Sequence, residues 1–238
     1  MKPHEMRLRI SSEEVSMERT LRPYALFALL QEAAIRHTEA LGIGRDRTLD
    51  KGLLWVVSRQ QVQIRRLPEY DEEIVLSTWP GQTMHVFFPR YFQMHTAGGE
   101  PLLTASALWM LLDGETRRFA FPEEHGIEIP GMDWDGQPPL PSAPALVSAD
   151  REDTFTIPYS YVDINGHMNN ARYLDLAEDL LPPCFHRKRL KEIRIAYLSE
   201  ARYGQKLSVR FGGTDTLRCF CGTCEKLCFQ LSLHYQAE

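Results

Sequence analysis

An α+β architecture, built twice in tandem, is what this 238-residue sequence predicts. Three observations carry that prediction. An apolar segment with helical spacing is followed by several strand-like segments, the same order recurs in the second half, and a proline-dense stretch lies between. Two similar units with little helix between their strands imply antiparallel sheets, each packed against its own helix.

The first helix is expected to open at Pro23, which suits an initial helical position, and to stop at Gly42. Between them Leu26, Leu29, Leu30, Ala33, Ala34, His37 and Leu41 recur at helical spacing. Its early turns, Tyr24 to Leu30, are apolar nearly all round, so this helix is enclosed rather than laid on a surface. Strands are predicted at Trp55 to Arg65, Glu73 to Trp79, His85 to His95 and Leu102 to Leu112, with Ala97-Gly98-Gly99-Glu100 as a hairpin turn. In the second half a helix beginning near Asn169 or Asn170 carries Tyr173, Ala177 and Leu180 on one stripe and ends at Pro182-Pro183. Strands at Glu192 to Leu198, Lys206 to Phe211, Thr216 to Cys221 and Leu227 to Tyr235 follow. Pro122, Pro130, Pro138, Pro139, Pro141 and Pro144 mark an extended linker. The expected organisation is therefore a first unit over 1–122, a linker over 123–152 and a second unit over 153–238. A long helix wrapped by an antiparallel sheet, present twice with the sheets joined edge to edge, is a tandem hot-dog.

Bulk composition excludes several classes. A hydrophobic share of 43% and a charged share of 25% are ordinary for a globular protein. No apolar run is long enough to cross a bilayer, and the first residues lack the apolar core of a secretion signal, so the expected location is the cytoplasm, with no membrane partner. A formal charge of -5 argues against a general nucleic-acid binder. Four of the five cysteines crowd the C-terminal end, but Cys221-x-x-Cys224 has no second pair at metal-finger spacing. Reduced thiols are expected there, with no metal and no cofactor.

The stretch Asp163-Ile-Asn-Gly-His-Met-Asn-Asn-Ala-Arg-Tyr173 places a carboxylate, an imidazole and three carboxamides within eight positions. Turn and cap duties account for Asp163, Gly166 and one asparagine. They do not account for His167 or the repeated amides, which suit holding a water and polarising a carbonyl.

This motif, Asp163-x-Asn165-x-His167-x-Asn169-Asn170-x-x-Tyr173, followed by Glu200, resembles the acyl-acyl-carrier-protein thioesterases. Leu53 to Arg59, Arg66-Leu67-Pro68, Ser77-Thr78-Trp79 and Trp109 to Asp113 are similar to the family's N-terminal unit, so the resemblance spans almost the whole chain. It implies a double hot-dog, hydrolysis of fatty acyl-carrier thioesters, and an active site of Asp163, Asn165, His167 and Glu200. Two positions depart from the pattern. Ala201 stands where plant members carry a cysteine, which removes covalent catalysis by that residue, and Tyr161 replaces an additional acidic residue.

A thioester needs little acid assistance, because its leaving thiol has a pKa of roughly 8.5. Nucleophile delivery and oxyanion stabilisation are the main demands. Glu200, Asp163 or His167 could serve as base, Asp163 could instead attack directly to give an anhydride intermediate, and a backbone N–H near Gly166 or Met168 is expected to face the oxyanion. Aligning the two helices puts Arg19 opposite Asp163 and Pro23 opposite His167, so the first unit lacks the catalytic set. Its Leu26, Leu29, Leu30, Trp55 and Trp79 are expected to line an acyl tunnel. An acidic carrier protein would dock on the basic run Arg187, Lys188, Arg189 and Lys191, with Arg59, Arg65 and Arg66 as second choice. An acyl-coenzyme A thioesterase, a hot-dog hydratase or dehydratase, and a non-catalytic acyl-binding module stay open as alternatives. A homodimer is compatible with all of them.

Overall fold

The computed structural model describes residues 2–134 and 136–237. Its centre is one ten-stranded antiparallel sheet in the order β1-β3-β4-β5-β2-β7-β10-β9-β8-β6. The first five positions are β1 (His4–Arg9), β3 (Glu73–Pro80), β4 (Phe88–Thr96), β5 (Pro101–Asp113) and β2 (Leu53–Ile64). The rest are β7 (Leu190–Tyr197), β10 (Leu227–Tyr235), β9 (Leu217–Thr223), β8 (Lys206–Gly213) and β6 (Arg151–Thr156). The two halves join where β2 pairs β7, from Arg59 opposite Ala196 to Gln63 opposite Glu192. Pairing at this seam covers one edge of each half-sheet, the hazard an isolated unit would present to solvent.

Two strands were not expected from the sequence. The segment His4–Arg9 alternates half-buried and exposed residues, and Arg151–Thr156 is almost wholly exposed. Both are edge strands, where one face meets water and the apolar alternation that betrays a strand is weak. Among the described residues between 132 and 148 the proline-dense stretch has almost no regular structure, and it crosses the sheet. There the Ser142 N–H donates to Gln61 Oε1 and the Ala145 N–H to Ser232 Oγ.

Helix α1 (Pro23–Ala40) follows its pattern: Ala25, Leu26, Phe27, Leu30, Ala33, Ala34 and His37 are buried. Fully burying one such leucine contributes about 1.5–3 kcal/mol. Helix α2 (Arg172–Leu180) has only nine residues, so the second unit lacks the long helix anticipated for it. Asn169 and Asn170 form the turn before it, where the Ala171 N–H donates to Asn169 Oδ1, and Pro182 blocks continuation. The helices meet through Arg22, which donates to Asp175 at 3.0 Å and Glu178 at 3.4 Å. Leu26, Ala33, Leu174, Ile193 and Phe229 belong to one apolar cluster that includes residues of both halves.

Candidate active site

The loop from Val162 to Met168 is a tight hairpin and not the first turn of a helix. Gly166 N–H donates to the Asp163 carbonyl at 3.0 Å, and Asp163 N–H donates to the His167 carbonyl at 2.9 Å. Gly166 sits at φ +78°, a left-handed conformation that a residue with a Cβ adopts only with strain. The Asp163 carboxylate accepts the Asn165 N–H at 2.9 Å and so braces the turn. Beyond the loop, Met168 N–H donates to the Ala201 carbonyl at 2.7 Å, which brings the chain after β7 alongside.

That juxtaposition puts His167 Nε2 2.8 Å from Glu200 Oε2. Thirty-three residues separate them in sequence, and only the hairpin's pairing with the segment after β7 makes them neighbours. The His167 side chain is 16% exposed and that of Glu200 32%. Burial pushes the imidazole below its ordinary value; Glu200 opposes that shift, Arg117 and Arg202 reinforce it, and Asp163 opposes it weakly. At neutral pH the ring is therefore uncharged; Nε2 faces the Glu200 carboxylate, and Nδ1 has no hydrogen-bond partner among the described residues. Glu200 is also held by Arg117 Nη1 at 3.2 Å and Arg202 Nη2 at 3.0 Å. Neither arginine was anticipated. Arg202 lies two residues beyond Glu200, a spacing that could have suggested it, whereas Arg117 arrives from the turn after β5 and left no local signal.

The other expected catalytic residues lie at two different cavities. Asn165, with Ile164, lines an apolar cavity of about 300 Å³ beside α1, whose wall includes Leu53, Trp55, Phe88, Arg90 and Trp109. Asp163 lines a neighbouring cavity of about 240 Å³ with Tyr24, Tyr161 and Arg172. The oxyanion donors anticipated from the backbone need correction. Gly166 and Met168 N–H already have intrachain acceptors, and α2 begins only at Arg172. The Asn165 carboxamide, at the exposed rim of the cavity, is one donor in reach of it; the buried indole N–H groups of Trp55 and Trp109, which have no acceptor among the described residues, are others.

Of the five residues expected to line an acyl tunnel, Trp55 alone lines the apolar cavity beside α1. Leu26 and Trp79 are 0% exposed, Leu26 in the main core and Trp79 in a small cluster with Tyr91 and Met132. Leu29 packs against the main core, and Leu30 borders only a gap of about 10 Å³. The wall comes from the other side of α1, through Ala34, Ile35 and Thr38, and from β2, β4 and β5. Helical spacing identified the buried stripe, but could not say which part of it fronts a void.

The basic run is correspondingly displaced. Arg187 to Arg189 precede β7 and Glu200 follows it, so a strand of eight residues separates them, roughly 26 Å at its usual rise. Arg187 pairs with Glu18 at 3.5 Å, Lys188 donates to the Asp215 carbonyl, and Arg189 donates to the Arg65 carbonyl. Lys191 is half-buried at the start of β7.

Known proteins match both the fold and the order of these parts. The model of the acyl-ACP thioesterase N-terminal domain matches residues 2–125, and that of the C-terminal domain matches residues 145–221. A palmitoyl-acyl carrier protein thioesterase of Cuphea hookeriana is 26% identical over 189 residues, covering 73% of this chain and 46% of the relative. A dodecanoyl-[acyl-carrier-protein] hydrolase of Cinnamomum camphora is 28% identical over 235 residues, covering 89% of this chain and 60% of the relative. The chain spans about half the length of the curated plant relatives it matches. Among solved structures, an acyl-ACP thioesterase from Bacteroides thetaiotaomicron superposes with a TM-score of 0.85 at 21% identity, covering 98% of both chains. The 12:0-ACP thioesterase of Umbellularia californica gives 0.85 at 20% identity, covering 99% of this chain and 98% of that one. These likenesses confirm the double hot-dog. With both domain models in order along its sequence, this chain belongs to the acyl-ACP thioesterase family.

Proposed function

We propose that the chain hydrolyses fatty acyl thioesters of an acyl-carrier protein, releasing free fatty acid and the carrier thiol. The observation that supports this most is the His167–Glu200 pair at 2.8 Å, beside a hairpin whose exposed tip lines the rim of an apolar cavity. In this reading His167 Nδ1 accepts a proton as water attacks the thioester carbonyl. Glu200 holds the ring in the required tautomer and stabilises the imidazolium that forms. The Asn165 carboxamide donates to the developing oxyanion. Collapse of the tetrahedral species breaks the carbon–sulfur bond, and the proton on His167 passes to the departing thiolate. Asp163 shapes the turn through its bond to the Asn165 N–H, in place of the base or nucleophile role that the residues alone left open.

The carrier would approach the hairpin, where Arg117 and Arg202 lie far closer to the chemistry than the run from Arg187 to Lys191. The names of the curated relatives favour carrier protein over coenzyme A. Cytoplasmic location and a homodimer belong to the proposal too. No helix among the described residues is long and apolar enough to cross a membrane, and the plant relatives are chloroplastic. Fractionation and light scattering address these two points. The deciding experiment is product analysis with a panel of saturated acyl chains on carrier protein and on coenzyme A. Faster turnover on carrier protein is expected. Equal rates on both carriers would shift the assignment to a general acyl thioesterase, and no turnover on either would leave a binding module.

A further inference from the structure

The cavity beside α1 holds a feature that hydrolysis does not use. Arg90, on β4, lines it, yet the residue is only 8% exposed. Its guanidinium meets His37 Nδ1 at 3.1 Å, Thr78 Oγ1 at 3.4 Å and Thr38 Oγ1 at 3.4 Å. Both threonine hydroxyl protons are spent elsewhere, Thr38 on the Ala34 carbonyl and Thr78 on the Tyr91 carbonyl, so both oxygens can only accept from Arg90. His37 is neutral: burial foremost, then Arg90 and His4, push it down to about 4. Every acceptor around this cation is therefore uncharged, and among the described residues no carboxylate pairs with it.

A buried cation without a counter-charge is a costly arrangement that a bound anion would relieve. The guanidinium has five N–H donors in a planar fork suited to a carboxylate. Its Nε–H and one Nη2 hydrogen have no acceptor among the described residues. The other charged lining residues, Glu39 and Arg45, are exposed, and the Glu39 carboxylate accepts the Arg45 N–H at 2.8 Å. The rest of the wall is mostly apolar, led by Leu53, Trp55, Phe88 and Trp109, with Thr38, Thr48 and Asn165 as its uncharged polar members. A buried guanidinium without a counter-charge in a predominantly apolar cavity calls for a ligand that is a hydrocarbon with one anionic end.

We propose that this cavity binds an aliphatic chain bearing a carboxylate, with the carboxylate seated on Arg90 and the chain against Trp55, Phe88 and Trp109. Two sources supply that chemistry. One is a free fatty acid entering head first, which would make the reaction product a ligand of the enzyme. The other is an acyl thioester whose far end carries a second carboxyl group.

The test begins with binding, which needs no turnover and so stands or falls apart from the hydrolytic reading. Calorimetry of the wild-type chain with decanoate and 1-decanol, below their aggregation concentrations, is expected to show at least tenfold tighter binding of the acid. Arg90→Gln should reduce that preference to about threefold or less, and Arg90→Lys should retain part of it. If Arg90→Gln does not fold, Leu53→Trp, which fills the cavity, should abolish binding of the acid. Equal affinity for acid and alcohol in the wild type overturns the proposal. So does a preference that survives Arg90→Gln, or acid binding undiminished by Leu53→Trp. The sources separate in a kinetic arm. Faster hydrolysis of the carrier-linked half-ester of dodecanedioic acid than of dodecanoyl carrier, reversed by Arg90→Gln, identifies the far carboxyl group. Inhibition by decanoate without that substrate preference, relieved in Arg90→Gln, identifies the free acid.

Discussion

The pairing of His167 with Glu200 makes a quantitative claim about catalysis. A positioned general base contributes about 10²- to 10⁴-fold, so His167→Ala should lower kcat/KM by that range, equivalent to roughly 3–5 kcal/mol. Glu200→Gln keeps a hydrogen-bond acceptor near Nε2 but removes the charge facing the imidazolium. Two unit charges about 4 Å apart interact by about 4 kcal/mol at an effective dielectric of 20, and this is a ceiling. Arg117 at 3.2 Å and Arg202 at 3.0 Å already neutralise much of that charge. The expected loss in Glu200→Gln is therefore smaller, on the order of 10-fold. Because Glu200 acts through His167, the double variant should be no worse than His167→Ala alone. The pH profile adds a sign. Activity requires neutral His167 and falls as pH drops through its pKa. Glu200 raises that pKa, so Glu200→Gln should move the acid limb to lower pH. Multiplicative losses in the double variant, or an acid limb that stays in place, would refute the assignment of His167 as base and Glu200 as its orienter.

Further outcomes can be measured with the same preparations. Arg117 lowers the His167 pKa, so Arg117→Gln should move the acid limb of kcat/KM to higher pH, opposite to Glu200→Gln. Leu53→Trp narrows the apolar cavity beside α1 and should shift product profiles to shorter acyl chains without slowing turnover of short ones. Leu26→Ala alters only the core and should leave chain preference unchanged while lowering stability by about 2–5 kcal/mol in denaturant titrations. Burial raises Glu178 to about 7, so the folded state holds a proton there between about 7 and the ordinary value of 4.5. Acidification through that window favours the folded wild type. Glu178→Gln should therefore be the more stable protein at pH 8, by at most about 3 kcal/mol, with the difference gone by pH 5. A stability difference independent of pH would count against a buried, charged Glu178.

The sequence determined the duplicated order of helix and strands, the enclosed character of α1 and the polar hairpin that carries His167. Those features rest on local spacing: helical recurrence from Pro23 to Ala40, and turn chemistry at Asn165-Gly166. Edge strands His4–Arg9 and Arg151–Thr156 escaped it because a strand half in water has little apolar alternation to read. Only the tertiary structure decided which buried positions front a void. Leu26 and Trp79 are as apolar as Trp55, and what separates them is where neighbouring elements fail to close. It also decided the electrostatics of the site. The contacts of Glu200 with His167 and Arg117, and of Arg90 with His37, join residues 33 to 83 positions apart. Charge interactions depend on distance in space and on access of water, and neither quantity is written in the order of the residues.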